Sequence, residues 1–204
     1  MKIICVGRNY FEHIKELSNS KPDKPVIFLK PDTAIVRGNS PFYYPDFSQQ
    51  IDYECELVVK ISKIGKSIPV SCAKNHYNEV ALGIDFTCRD LQTEAKEKSL
   101  PWTLAKGFDY SAPLSEFYSL EDLGKDVQNL DFSLLKNGET VQQANTSQML
   151  FSVDEIISFV SRFISLKVGD LIFTGTPAGV SSIQIGDKLT ACLEGKEVLK
   201  CEIK

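Results

Sequence analysis

The chain has 204 residues, 43% of them hydrophobic and 25% charged, with a formal net charge of −4. That length can bury a sizeable core in a single domain, 1–204, and the composition fits neither a disordered chain nor a membrane protein. The acidic balance, without a basic arm or lysine cluster, argues against a nucleic-acid partner.

At the start, Ile3 to Val6 reads as a strand, and the apolar run is too short for a signal peptide because Arg8 ends it. No stretch approaches the ~20 apolar residues of a membrane span. The six cysteines (Cys5, Cys55, Cys72, Cys88, Cys192 and Cys201) form no C-x-x-C pair, so they read as reduced thiols in a cytoplasmic protein. Two histidines in the whole chain argue against a histidine-rich zinc site. Asn9 to Leu17 is a candidate short helix, and Val26 to Leu29 a second strand. Further strands are expected at Leu57 to Ile61, Val80 to Phe86, Phe132 to Lys136, Asp170 to Thr174 and Lys188 to Leu193, each short and rich in β-branched or aromatic residues. Ser71 to Asn78 and Asp90 to Ser99 read as helices. Asn137-Gly138 marks a hairpin turn, and Gly169-Asp170 and Gly186-Asp187 mark turns entering strands. The clearest helix runs from Val153 to Ile164. Ser152 is its N-cap, Glu155 completes a capping box, and Ile156, Ile157, Phe159, Val160 and Phe163 form its apolar stripe. Many short strands and few helices predict a β-rich α+β domain with a rolled or barrel-like mixed sheet.

The first chemically informative segment is Ile51-Asp52-Tyr53-Glu54-Cys55-Glu56-Leu57. In an extended strand side chains alternate, so Asp52, Glu54 and Glu56 share a face while Cys55, Leu57 and Val59 take the other. Adjacent like charges repel unless a cation or solvent holds them. A solvated acidic edge explains an isolated E-x-E, but Asp85 in Leu82-Gly83-Ile84-Asp85-Phe86 places another carboxylate inside an apolar run, where it needs a partner. Three carboxylates without histidine make a hard oxygen site suited to Mg²⁺, Mn²⁺ or Ca²⁺ rather than Zn²⁺. Arg89 could clamp a carboxylate, and Gln92 could donate to a carbonyl. Lys106 sits in an apolar setting, with surface snorkelling as its bland alternative. Thr174-Gly175-Thr176-Pro177-Ala178-Gly179 resembles a tight turn facing a ligand. A metal-binding protein without enzymatic activity would account for the carboxylates but not for the polar residues clustered near them.

Together these segments resemble the fumarylacetoacetate hydrolase family, in particular its short acylpyruvate hydrolase and oxaloacetate decarboxylase members. The matching pieces are Val6-Gly7-Arg8-Asn9-Tyr10, Phe28-Leu29-Lys30-Pro31, Asp52-Tyr53-Glu54-Cys55-Glu56-Leu57, Gly83-Ile84-Asp85, Arg89-Asp90-Leu91-Gln92, Pro101 through Lys106, Asn145 through Ser152, and Gly169-Asp170 through Val180. The resemblance implies a mixed β-roll with a metal site at one end of a barrel-like sheet, and a homodimer. It implies Mg²⁺ or Mn²⁺ on Glu54, Glu56 and Asp85, and substrate contacts at Arg8, Arg89, Gln92, Gly175 and Thr176. Lys106 becomes an electrostatic catalyst, and His13 with Glu16 an acid/base pair on a mobile lid within about residues 1–20. The implied reaction is cleavage of the C3–C4 bond of acylpyruvates or oxaloacetate through a metal-stabilised enolate. The alternative is a keto–enol tautomerase or a 2-hydroxy-dienedioate isomerase or decarboxylase.

Overall fold

The computed structural model describes residues 1–16 and 21–204. Its centre is a six-stranded mixed sheet in the order Val26–Lys30, Ile3–Gly7, Leu171–Phe173, Cys55–Ile61, Tyr77–Ile84 and Tyr118–Ser119. Only the pairing of Ile3–Gly7 with Leu171–Phe173 is parallel, and it joins the start of the chain to its last third. A second, antiparallel sheet of four strands runs Glu139–Asn145, Asp131–Lys136, Lys188–Leu193 and Lys196–Glu202.

Alternation along the strands explains how the layers pack. Ile4, Val6, Leu57, Val59 and Leu82 face a core shared with Phe132, Leu134, Leu189, Ala191 and Leu199 of the second sheet and with Ile156, Ile157 and Val160 of a helix. Ile3, Cys5, Val58, Ala81, Leu171 and Phe173 face the other way, into a smaller cluster with Ala34, Ala112 and Leu114. Gly83 is required where Phe173 crosses it, because a Cβ there would lie 2.5 Å from that ring. The described strands form several sheets and none closes into a barrel. The central sheet ends at Val26–Lys30 and Tyr118–Ser119, which do not pair with each other.

Among the described residues helices are short; the longest, Arg89–Glu97 and Val153–Ser161, have 9 residues each. Ser152 and Glu155 form the expected capping box, and the helix ends at Ser161, before the expected Ile164. Asn137 (φ 55°) and Gly138 (φ 88°) both take left-handed conformations, as a tight hairpin turn demands. The expected helix Ser71 to Asn78 is instead one α-turn, Val70–Ala73, followed by a 3₁₀ turn, Lys74–His76, and Tyr77 already begins a central strand. The N-terminal helix spans Phe11–Glu16; Leu17, the end of its expected range, lies outside the described residues. Among the described residues no helix is long and apolar enough to cross a membrane.

Candidate active site

The acidic motif does not form one continuous strand. Glu54 sits at the break between Ile51–Tyr53 and Cys55–Ile61. The break lies where the neighbouring strand also ends: Cys55 pairs with Ile84, and the Asp85 amide donates to the Glu54 carbonyl at 2.8 Å. Glu54 and Asp85 thus close the same strand pair, and Glu56 stands two residues along, opposite Gly83. One ligand atom from each of Glu54, Glu56 and Asp85 lies within 4.8 Å of the others, and all three residues are buried.

Buried carboxylates need compensation. Lys106, on the short helix Thr103–Lys106, supplies part of it: its ammonium donates to Glu54 Oε2 (2.7 Å), Asp85 Oδ2 (2.8 Å) and Thr87 Oγ1 (2.5 Å). At 2% exposure it is a buried group and not a snorkelling surface lysine. Burial works against its charge, but Asp85 and Glu54 outweigh that and hold its pKa above the usual lysine range. Lys30 lies on the other side of Asp85, 2.8 Å from Oδ1, and donates to Phe86 O and to Ser111 Oγ. Arg89 donates to Asp52 (2.6 Å), Glu54 (2.7 Å) and Gln92 Oε1 (2.5 Å). Burial would raise the Glu54 carboxyl, yet Lys106, Arg89 and His13 hold it below the ordinary carboxylate range. Glu56 behaves oppositely: burial, then Asp85 and Glu54, push it well above that range. Its backbone donor is Gly175, whose amide is 2.7 Å from Oε2.

The loop after Leu171–Phe173 is laced along the acidic strand. Thr174 Oγ1 donates to Leu57 O and Thr176 Oγ1 to Cys55 O, and Gln142 bridges Thr176, Pro177 and the Cys55 amide. Gly175 has φ +101°, and a Cβ there would meet Asn9 Cβ at 2.7 Å. Asn9 is wholly buried and ties the N-terminal segment to Phe151 and Thr174. From this anchor the helix Phe11–Glu16 carries His13, 5% exposed, with Nδ1 3.2 Å from Glu16 Oε2, while Glu16 Oε1 accepts from the Gly179 amide at 3.0 Å.

These groups surround a cavity of about 30 Å³ lined by Arg8, His13, Glu54, Glu56, Arg89, Gln92, Lys106 and Thr176, with Phe28, Lys96 and Trp102. Asp85 and Gly175 touch the lining residues from behind, through Lys106 and Glu56. All the residues singled out in the sequence therefore converge. In this structure three of the Arg89 N–H groups, the Gly175 amide and the Thr176 hydroxyl bond to the protein and position the segment that bears Glu54 and Glu56. Sequence reasoning assigned no site role to Lys30, Asp52, Thr87, Asn9 and Gln142. Asp52 could have been found from its shared face with Glu54 and Glu56, and Lys30 from its place at the end of an apolar run. Gln142 lies on a distant strand and carries no local signal. The donor set fits a hard divalent cation: three buried carboxylates converge, one of them disfavoured as an anion by burial and then by the other two, beside a space large enough for a water-sized ligand.

Residues 2–204 match the family model described as fumarylacetoacetate (FAA) hydrolase C-terminal. The chain belongs to the fumarylacetoacetate hydrolase family. Within that family it is similar to the mouse (Mus musculus) mitochondrial oxaloacetate tautomerase FAHD1, with 43% identity across 99% of this chain and 91% of the relative. It also resembles the fumarylpyruvate hydrolase of Pseudomonas aeruginosa solved with Mn²⁺ and pyruvate, at 36% identity and a TM-score of 0.94, covering 100% of this chain and 89% of that one. The 2-hydroxyhepta-2,4-diene-1,7-dioate isomerase of Mycobacterium marinum follows at 34% identity and a TM-score of 0.85, over 99% and 73% of the two chains. The strand-rich α+β fold is that of the fumarylacetoacetate hydrolase family, and the relatives are hydrolases, tautomerases and isomerases.

Proposed function

We propose that this protein is a divalent-metal enzyme of β-keto 2-oxo acids, with keto–enol interconversion of oxaloacetate as its leading activity. The observation that carries this is one pocket lined by Glu54, Glu56 and Lys106 together with His13, whose ring Glu16 orients. The order of the two readings from the sequence is reversed here because a relative 43% identical along nearly the whole chain is an oxaloacetate tautomerase. Glu54, Glu56 and Asp85 would hold Mg²⁺ or Mn²⁺, with Ca²⁺ as a further hard candidate, and the bound ion would supply Lewis-acid polarisation of the keto oxygen. Lys106 keeps a fixed positive charge beside that site, where negative charge gathers on the substrate oxygen as C3 loses its proton. His13 is the base that takes the C3 proton and returns one to the oxygen. Glu16 fixes the orientation of the ring through the contact at Nδ1. Gln92, with its carbonyl on Arg89, keeps its amide N–H groups for the substrate.

Cleavage of the C3–C4 bond of acylpyruvates or oxaloacetate is the second reading, favoured by the likeness to a fumarylpyruvate hydrolase. It uses the same enolate, with His13 and Glu16 activating a water. We further read residues 1–204 as one catalytic domain, with the helix Phe11–Glu16 as its lid and a small 2-oxo acid as its ligand. A homodimer is supported by an apolar groove beside the edge strand Val26–Lys30, where Leu29 and Leu100 are exposed. Six free cysteines fit a reducing compartment such as the cytoplasm, while the mouse relative is by its name mitochondrial. The deciding experiment follows the enol absorbance of oxaloacetate, and pyruvate release, with Mg²⁺ or Mn²⁺ and after chelation. A chelator-sensitive rate above that of metal alone is expected; a rate equal to metal alone would sink the proposal.

A further inference from the structure

The cations of the pocket fall into two sets. Lys30, Lys106 and Arg89 are ion-paired with Asp52, Glu54 and Asp85. Counted with Glu56, these four carboxylates exceed the three paired cations by one negative charge, and a divalent ion turns that into one positive charge. That is enough for the single carboxylate that every 2-oxo acid carries next to its keto group. Arg8 and Lys96 also line the pocket, and among the described residues neither has a carboxylate within ion-pairing distance. A substrate with one carboxylate leaves both unanswered.

Their placement is built. Arg8 takes a left-handed backbone conformation, φ 61°, uncommon outside glycine, and it directly precedes the buried Asn9 anchor. Lys96, on the helix Arg89–Glu97 two turns beyond Arg89, has its ammonium 5.7 Å from the centre of the Trp102 ring, which also lines the pocket. Partial burial, then Arg89 and Arg8 nearby, depress the Lys96 pKa, and Glu54 offsets only part of that, so Lys96 is a cation in a net positive field without an ion-pair partner of its own.

Resting on the 2-oxo acid reading above, we propose that Lys96 is a specificity-determining residue which, with Arg8, binds a second carboxylate on the substrate, so that the pocket selects 2-oxo dicarboxylates over 2-oxo monocarboxylates. The substrate's keto end faces the acidic trio and its far end faces Lys96 and Arg8.

The test uses two unreactive ligands of matched length, 2-oxoglutarate and 2-oxopentanoate, titrated calorimetrically into the Mn²⁺-loaded protein. The wild type should bind the dicarboxylate about ten-fold or more tightly than the monocarboxylate, the scale of one charge-assisted hydrogen bond. Lys96→Met should erase most of that gap while leaving 2-oxopentanoate within about two-fold. Lys96→Arg should keep the gap, and Arg8→Met should narrow it. A gap absent in the wild type, or one that survives in both Met variants, overturns the assignment, as does failure to bind either ligand. Because binding is read without turnover, an inactive protein that still separates the two ligands counts against the proposed reaction and not against Lys96.

Discussion

Lys30 and Lys106 both bury an ammonium against Asp85, yet their removal should be felt differently. Lys106 faces the cavity, so Lys106→Met should lower kcat by roughly 10²–10³, the scale of one lost oxyanion donor. A change confined to KM would make it a ground-state contact instead. Lys30 meets Asp85 away from that cavity and adds bonds to Phe86 and Ser111. Lys30→Met leaves a buried charge short of a partner and should cost about 3–5 kcal/mol in urea unfolding; a loss below 1 kcal/mol would show that Lys106 alone compensates Asp85. At this scale the sequence was most legible where chemistry and pattern disagreed. Asp85 inside an apolar run pointed to a partner, and so did Lys106. What the pattern could not separate was a buried lysine from a snorkelling one, because both show the same long stem in the same apolar company.

The helix Phe11–Glu16 has little of its own to hold it: six residues, with His13 and Ile14 as its buried contacts. Isolated helices this short are not stable in water, so its position is set by Asn9 behind it and by Glu16 on the Gly179 amide. His13→Ala should therefore reduce proton transfer or hydrolysis by roughly 10²–10⁴ while Mn²⁺ affinity stays within about two-fold. Unaltered turnover in that variant would return His13 and Glu16 to an ordinary i,i+3 pair. Elements carrying explicit punctuation were the ones the sequence specified well. Ser152 with Glu155 started a helix and Asn137-Gly138 turned a hairpin, because each motif satisfies backbone geometry locally. Glu194-Gly195 makes the same kind of turn with two positive φ values, but glutamate is a poor signal for it. Between Ser71 and Asn78 the helical reading overran because Tyr77 is claimed by pairing with Ile61, a contact that local propensity does not carry.

At the scale of the whole molecule, composition and strand count gave the class, and the resemblance gave the family. The order of strands was not legible, since Ile3–Gly7 meets Leu171–Phe173 through an interaction no window of sequence contains. Two measurements test this long-range assembly. Mn²⁺ at about 100 times its Kd should stabilise the fold by about 2.7 kcal/mol, and Glu56→Gln should lose most of the accompanying rise in Tm; an equal rise in both would place the ion elsewhere. Asp170 accepts from the Lys2 and Lys167 amides and pairs with the Lys2 ammonium. Burial works against its charge, but these donors hold its carboxyl below the usual range. A carboxyl lowered on folding stabilises above its unfolded pKa, and that stability is lost as pH falls through the folded value. Asp170→Asn should cost about 1–3 kcal/mol near neutral pH and progressively less in acid; a difference independent of pH would exclude this linkage. The parallel pairing also has a consequence for synthesis. As the chain leaves the ribosome, Ile3–Gly7 can form a hairpin with Val26–Lys30, but its other edge waits for Leu171–Phe173 to be made. At roughly 5–20 residues per second that wait is on the order of ten to thirty seconds. Until then Ile3, Ile4, Cys5 and Val6, all buried in the finished fold, stay open to any other strand nearby, so this strand is a point of misassembly during synthesis.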